Sequence, residues 1–269
     1  MYLLGIIAVM LVLLYLFMIM PRMSTHKRMK LFLGTKWAHR GLYNMKKGIP
    51  ENSLAAFKNA VKKGVGIELD VHMTCDKKLI VFHDDTLKRV CGCEGNIEEM
   101  AYEDLKGCYL NHTSEKIPLL SDVLDYVNGR VPLLIEVKLP TKNTEICSYL
   151  EKELRRYNGP YLVQSFNCLV LRWLKMYCPQ ILRGQLSSNL TKSSNSPNYL
   201  LRFCVQHLLS NCWCRPDFIS YKLRDSQNLS LRIVHRLYHA PVAAWTIRTA
   251  EEMAAAKKEY DMYIFEQKQ

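Results

Sequence analysis

The chain holds 269 residues, 49% hydrophobic and 23% charged, which is enough apolar material for a filled core and excludes wholesale disorder. Twelve glycines and ten prolines exclude collagen-like or linker-dominated sequence, and at this length one barrel-sized domain is as natural as two small ones. The formal net charge of +12 points to an anionic partner: nucleic acid, an anionic membrane surface or a phosphate-bearing substrate.

Tyr2–Met20 reads YLLGIIAVMLVLLYLFMIM, without a charge. At ~1.5 Å per residue it reaches roughly 28 Å, close to the ~30 Å hydrocarbon core, so residues 1–21 are read as a transmembrane helix. Residues 22–34 follow as a basic juxtamembrane linker, with Arg22, Lys27, Arg28 and Lys30 and no acid up to residue 34. The positive-inside rule puts these charges, and the domain after them, on the cytoplasmic side of a single-pass cell-membrane protein. The alternative, a cleaved secretory signal, would carry its positive charge before the apolar run and a small-residue cleavage site after it. Neither is present. Beyond residue 30 there is no basic helix with interleaved aromatics, no finger and no helix-turn-helix pattern, so a nucleic-acid partner is not expected.

From residue 35 onward, β-type runs alternate with helical patterns. Strands are predicted at Lys36–His39, Ile67–Met73, Leu79–His83, Pro132–Lys138, Tyr161–Ser165, Ile181–Leu186, Phe218–Tyr221, Val242–Ile247 and Met262–Phe265. Helices are predicted at Asn52–Lys63, Ser121–Val127, Thr144–Tyr157, Asn167–Met176, Ser226–Leu237 and Thr249–Lys257, with Asn52, Ser121, Asn167, Ser226 and Thr249 as caps. Such alternation argues for a parallel sheet with helices outside. Residues 74–78 are too few for a parallel crossover, so Ile67–Met73 and Leu79–His83 form an antiparallel hairpin, with Asp70 placed opposite His83. Setting one arm aside leaves eight strands. The expected fold is therefore α/β, a (β/α)8 TIM barrel over residues 35–269, preceded by the transmembrane helix; an open doubly wound sheet is the alternative. Two stretches fall outside the repeat. One is a small insertion after the hairpin, about residues 84–118. The other is residues 187–216, whose apolar spacing suits a helix lying on the membrane or one closing the barrel floor.

Ten cysteines include the C-x-C pairs Cys91/Cys93 and Cys212/Cys214, but no C-x-x-C and no following His-x-x-x-His. Most are read as small buried apolar residues of a reducing compartment rather than as a zinc site.

Active sites of βα barrels lie at the C-terminal ends of the strands. The first predicted strand ends in His39-Arg40-Gly41, and the hairpin arm ends in His83-Asp84. Glu68 and Asp70 are two apart on a strand, so both point to one face; Glu136 and Lys138 repeat the pattern. Inward carboxylates repel unless a cation sits among them. Glu68, Asp70 and Glu136 thus form an oxygen-rich site suited to Mg²⁺ or Ca²⁺. The competing reading is an internal salt-bridge network through Lys138 and Arg40. His39 and His83, at strand ends beside the acids, are candidates for proton transfer, while His72, His207, His235 and His239 are read as structural. Arg40 offers a planar charged fork for a phosphate oxygen.

HRG at 39–41, PENS at 50–53, ELDV at 68–71, T-x-D at 74–76, HD at 83–84, EVK at 136–138, Gln164-Ser165-Phe166 and Trp245-Thr246 occur in family order. Together they resemble the glycerophosphodiester phosphodiesterase family, in a membrane-anchored bacterial-type member. The resemblance implies a TIM barrel with 84–118 as its insertion, and catalytic roles for His39 and His83. It also implies metal binding by Glu68, Asp70 and Glu136, phosphate contacts from Arg40 and Lys138, and an ordering role for Glu51 and Asn52. The implied reaction is metal-dependent hydrolysis of a glycerophosphodiester or lysophospholipid. A neighbouring glycerol hydroxyl attacks phosphorus and water opens the cyclic phosphate, giving glycerol 3-phosphate (or a lysophosphatidic acid) and an alcohol. This chain departs from the family pattern after Trp245-Thr246 and at Ile264-Phe265-Glu266, where a Thr-Asp-Pro and a final helix are expected. That departure keeps a second function open, a non-catalytic membrane-tethered module binding a phosphodiester or phospholipid headgroup.

Overall fold

A computed structural model describes residues 2–24, 26–192 and 198–267. Its nine strands are β1 (Lys36–Ala38), β2 (Gly66–Met73), β3 (Leu79–Val81), β4 (Leu133–Val137), β5 (Tyr161–Ser165), β6 (Arg183–Ser187), β7 (Phe218–Lys222), β8 (Val242–Ile247) and β9 (Met262–Phe265). All neighbours in the ring pair in parallel, and β1 pairs with both β2 and β9, so eight strands close into a barrel. β3 lies outside the ring, antiparallel to β2. The protein is a (β/α)8 TIM barrel with an apolar helix, Tyr2–Ile19, ahead of it.

Period-two alternation sorts the strand residues. Ile67, Leu69, Val71, Leu133, Ile135, Val137 and Val163 face outward and share one core with the surrounding helices. Trp37, Leu134, Leu162, Leu182, Phe218, Ala243 and Met262 face inward and fill the lower barrel. Gly184 is small for a reason here, since a Cβ would lie 2.2 Å from the Phe218 ring. Above this apolar layer the same inward faces turn polar: Trp37 gives way to His39, Leu134 to Glu136, Leu162 to Gln164, and Ile264 to Glu266.

The barrel floor is closed from an unexpected direction. Residues 26–32 form a short helix and a 3-10 turn, and Met29 and Phe32 bury their side chains under Trp37, Leu134 and Met262. The described parts of residues 187–216 do not close the floor; residues 193–197 lie outside the described residues. Helix Tyr199–Gln206 ends at the tops of β6 and β7, and the chain with the short helix Asn211–Cys214 then runs down the outside, because a parallel connection must return to the other end of the barrel. The insertion folds around its own small core, with Phe82, Leu87, Val90, Ile97 and Leu110 packed on the outer side of β3. Helix Ala250–Glu259 covers the last strand, placing Ala256 against Tyr263.

Two local expectations need correction. The hairpin register pairs Met73 with Leu79 and Val71 with Val81, so Asp70 stands opposite Phe82 rather than His83. The turn closes between Thr74 and Lys78, one residue earlier than expected, and that shifts every pair by one. Among the caps, Asn167 and Thr249 accept from Leu169 and Glu252 as expected. The helices after Asn52 and Ser226 are instead capped by Ser53 and Asn228, and the Ser121 helix starts at Leu120 with no side-chain cap.

All ten cysteines are free thiols. None of them belongs to a group of three potential metal ligands among the described residues.

Candidate active site

β2 and β4 lie side by side with Asp70 paired to Glu136. Alternation then directs Glu68, Asp70 and Glu136 into the upper barrel, where ligand oxygens of all three lie within 4.8 Å of one another. All three are buried. Lys138, the residue just after β4, places Nζ 2.8 Å from Asp70 Oδ1 and also bonds Glu136 Oε1. Arg40 donates its backbone N–H to Glu68 at 3.0 Å and sets its guanidinium 3.6 Å from Asp70. Both cations of the competing salt-bridge reading are thus in place, yet three carboxylates face two positive charges. Burial, with Asp70 beside it, pushes the Glu68 carboxyl up to about 7. Burial opposes the Asp70 charge as well, but Lys138, His83 and Arg40 outweigh it and hold that carboxyl far below its ordinary value. Gln164 donates to Glu68 at 3.5 Å while its own Oε1 is buried without a hydrogen-bond partner. An all-oxygen set short of positive charge fits a hard divalent cation.

Asn52, expected as a helix cap, does something else. Its left-handed backbone (φ 53°) turns the amide inward, where Nδ2 donates to Asp70 Oδ2 at 2.8 Å. Ser53 takes over the cap.

The two candidate histidines are each fixed through Nδ1 to a carboxylate. His39 donates to Glu266 Oε1 at 2.7 Å, and Arg248 holds the other Glu266 oxygen at 2.7 Å. His83 donates to Asp84 at 2.5 Å; Arg89 clamps Asp84 at 2.6 Å and reaches Glu51, which also accepts from Arg40 at 2.7 Å. His72, read as structural, is buried with Nε2 donating to the His83 carbonyl at 3.2 Å, so it steadies the loop that carries His83. Burial alone would lower the His39 pKa, but Glu68 and Glu266 outweigh it and the pKa is raised. For His83, burial with Lys138 and Arg40 outweighs Asp70, and the pKa is lowered. Two imidazoles with opposite shifts meet at one cleft.

That cleft has a volume of about 450 Å³. It is lined by His39, Arg40, Glu68, His83, Glu136 and Lys138, while Asp70 lies beneath in contact with Lys138. Sequence reasoning placed these residues but missed Glu266, Asp84 and Arg89 as partners. It also missed the cations Lys222, Arg224 and Arg248, and it named Phe166 and Trp245 only within motifs, not as the aromatic wall whose rings meet edge-on at 5.8 Å. Glu266 had a usable signal, since it continues the inward series Met262, Ile264 by the same period of two. Arg89 had none, because its partners come from the first loop and the insertion.

The model of the Glycerophosphoryl diester phosphodiesterase family matches residues 39–261. A protein of Caldanaerobacter subterraneus subsp. tengcongensis named Glycerophosphodiester phosphodiesterase is 34% identical over 161 residues, 55% of this chain and 65% of that protein. Lysophospholipase D GDPD1 of Homo sapiens is 30% identical over 174 residues, 60% of this chain and 54% of that protein. The matched region thus spans between about half and two thirds of these relatives' own length. Among solved structures, an Oleispira antarctica phosphodiesterase in complex with the product sn-glycerol-3-phosphate superposes with a TM-score of 0.70, over 87% of this chain and 93% of that one, at 22% identity. A likeness at that identity speaks for the fold. With the family pattern matched from His39 onward through most of the barrel, the chain belongs to the glycerophosphoryl diester phosphodiesterase family.

Proposed function

We propose that the protein is a membrane-anchored phosphodiesterase that hydrolyses glycerophosphodiesters or lysophospholipids to glycerol 3-phosphate, or a lysophosphatidic acid, and an alcohol. Glu68, Asp70 and Glu136 would hold a divalent cation, Mg²⁺ or Ca²⁺, which when bound neutralises charge developing on the phosphoryl oxygens. Arg40 and Lys138 contact the phosphate from the protein side. His83, whose pKa is lowered, takes the proton of the glycerol hydroxyl that attacks phosphorus. His39, whose pKa is raised and whose Nδ1 is held by Glu266, gives its proton to the leaving alcohol oxygen as that P–O bond breaks. Water then opens the cyclic phosphate with the two rings exchanging roles.

One observation carries this reading: a cluster of three buried carboxylates, two of them lining the cleft and Asp70 just beneath, adjoins two imidazoles whose pKa values are pushed apart. The names of the relatives, a lysophospholipase D among them, support the substrate class. A tethered binding module would gain nothing from anchoring both rings to carboxylates. Product analysis over a panel of glycerophosphodiesters and lysophospholipids, with and without chelator, tests the proposal. Chelator-sensitive release of glycerol 3-phosphate is expected; binding without turnover across the panel would establish the module instead.

For location, we read Tyr2–Ile19, the one helix among the described residues long and apolar enough to cross a membrane, as a single cell-membrane span with the barrel on the cytoplasmic side. Its last turn supports a retained anchor rather than a cleaved signal: Ile19 is fully buried in the barrel's outer core beside Leu208 and Ile219.

A further inference from the structure

The apolar helix does not leave the barrel as a free tether. Tyr15 Oη lies 2.8 Å from Ser230 Oγ, in the first turn of helix Leu229–Tyr238. Further along, Ile19 offers its carbonyl to Asn211 at 2.8 Å, and the Arg22 N–H reaches the carbonyl of Pro216, just before β7 begins. In a βα barrel the first turn of an outer helix lies at the C-terminal end of the strands, and the residue before a strand lies at the other end. Leu16 still accepts from Tyr238, in the last turn of helix Leu229–Tyr238, so from residue 22 back to residue 15 the chain climbs the wall from the floor toward the rim that holds the cleft, and the Tyr15 side chain reaches up to it. Residues 2–14 are exposed and continue in the same direction for roughly 20 Å, which carries the helix past the rim.

That rim carries further apolar side chains in the open. Val205 and Gln206 offer their carbonyls to Ser187 and Tyr221 at the ends of β6 and β7, so the start of helix Tyr199–Gln206 sits at the rim or beyond it. Leu200 is 74% exposed there, and Leu229, heading the helix that Tyr15 touches, is 63% exposed. Tyr199 and Leu201 stand beside Leu200, also exposed. Inside the mouth, Lys222 and Arg224 line the cleft. The floor also shows apolar residues, Leu31, Leu33 and Leu237. A bilayer at the floor would leave the apolar residues 2–14 pointing away from lipid and into water, which the hydrophobic effect forbids. These residues rise only roughly 20 Å against a ~30 Å hydrocarbon core, a mismatch that draws the neighbouring rim close to the lipid and thins the bilayer there.

We propose that the barrel sits mouth-down on the bilayer. Tyr199, Leu200, Leu201 and Leu229 dip into the interface beside the anchor, and a single-chain phosphodiester passes from the lipid to Lys222 and Arg224 without crossing open water. This rests on the anchored-phosphodiesterase reading and adds the orientation of the cleft and the way its substrate arrives.

The test uses the full chain in phosphatidylcholine vesicles with brominated acyl chains. After subtraction of the native emission, tryptophan fluorescence of Leu200→Trp should be quenched at least 2-fold relative to unbrominated vesicles, and that of Leu237→Trp should not change. Leu200→Glu combined with Leu201→Glu should lower hydrolysis of vesicle-borne lysophosphatidylcholine about 10-fold and leave soluble glycerophosphocholine hydrolysis unchanged. Quenching at Leu237 alone, or at neither site in vesicle-bound protein, overturns the orientation. Equal loss on both substrates overturns the route from the lipid. Protein that fails to float with vesicles overturns the anchor and the orientation with it. Protein quenched at Leu200 but inactive on every phosphodiester supports the orientation and overturns only the enzymatic reading.

Discussion

His39 and Glu266 meet across 2.7 Å, and in doing so they tie the end of the first barrel strand to the end of the last. The contact gives the imidazole a fixed ring orientation, with Nδ1 committed to the carboxylate and Nε2 left for chemistry. Glu266→Gln should therefore lower kcat/KM by about 10²-fold, the lower end of what a proton-transfer group contributes, and move the His39 limb of the pH–rate profile to lower pH. His39→Ala and His83→Ala should each remove 10²- to about 10⁴-fold of turnover while a non-hydrolysable phosphonate analogue still binds, as read by calorimetry.

The same pair makes stability depend on pH in a defined window. Burial opposes the Glu266 charge, but His39 and Arg248 prevail and hold its carboxyl at about 2. Its contribution is complete above the unfolded carboxylate range, about 4.3, and is lost as pH falls through 2. The His39 pKa is raised, so its contribution is complete below the unfolded value of about 6.5 and is lost as pH rises through the folded value. Both are full only between roughly pH 4.5 and 6.5. Urea unfolding of chelator-treated protein at pH 5.5 and 8.5 should show the native chain losing more stability than Glu266→Gln on going to the higher pH. Parallel behaviour of the two chains would remove the pair from the account.

Three acids with two cations predict a strong response to divalent ions. Chelation followed by dialysis should abolish turnover, and Mg²⁺ or Ca²⁺ at about 100 times its dissociation constant should add about 2.7 kcal/mol of stability, visible as a rise in Tm. Asp70→Asn, which also breaks the contact to Lys138, should lose both the activity and the thermal response. A thermal shift unchanged by the ion would place any cation elsewhere.

Closure of the floor by Met29 and Phe32 predicts that the stretch after the apolar helix is structural. Phe32→Ala should cost about 3–5 kcal/mol and Met29→Ala about 2–5 kcal/mol, measured by chemical denaturation. Lys27→Ala, at an exposed position, should stay within about 0.5 kcal/mol of the native chain.

What could be read in advance follows from how far each signal reaches along the chain. Alternation of Ile67, Leu69 and Val71 with Glu68 and Asp70 is local, and it located the strand, its inward face and the acidic cluster together. The hairpin register depended on which residue of Thr74–Lys78 closed the turn, and several similar closures compete within so short a loop. Asn52 and Ser53 are both good caps by composition; the choice was made by Asp70, which takes the Asn52 amide. Residues 22–34 look like a charged linker because only two of their apolar side chains are needed to fill the floor. The chain of contacts from Arg40 through Glu51, Arg89 and Asp84 to His83 joins three loops, and no pattern within one segment announces it.

The seam between β1 and β9 has a consequence for how ring closure can be watched. The His39 imidazole acquires its carboxylate partner only when the first and last strands of the barrel dock side by side. Its NMR signal is therefore a built-in reporter: a chain with every other strand paired but this seam unzipped would show that ring as an ordinary solvated histidine.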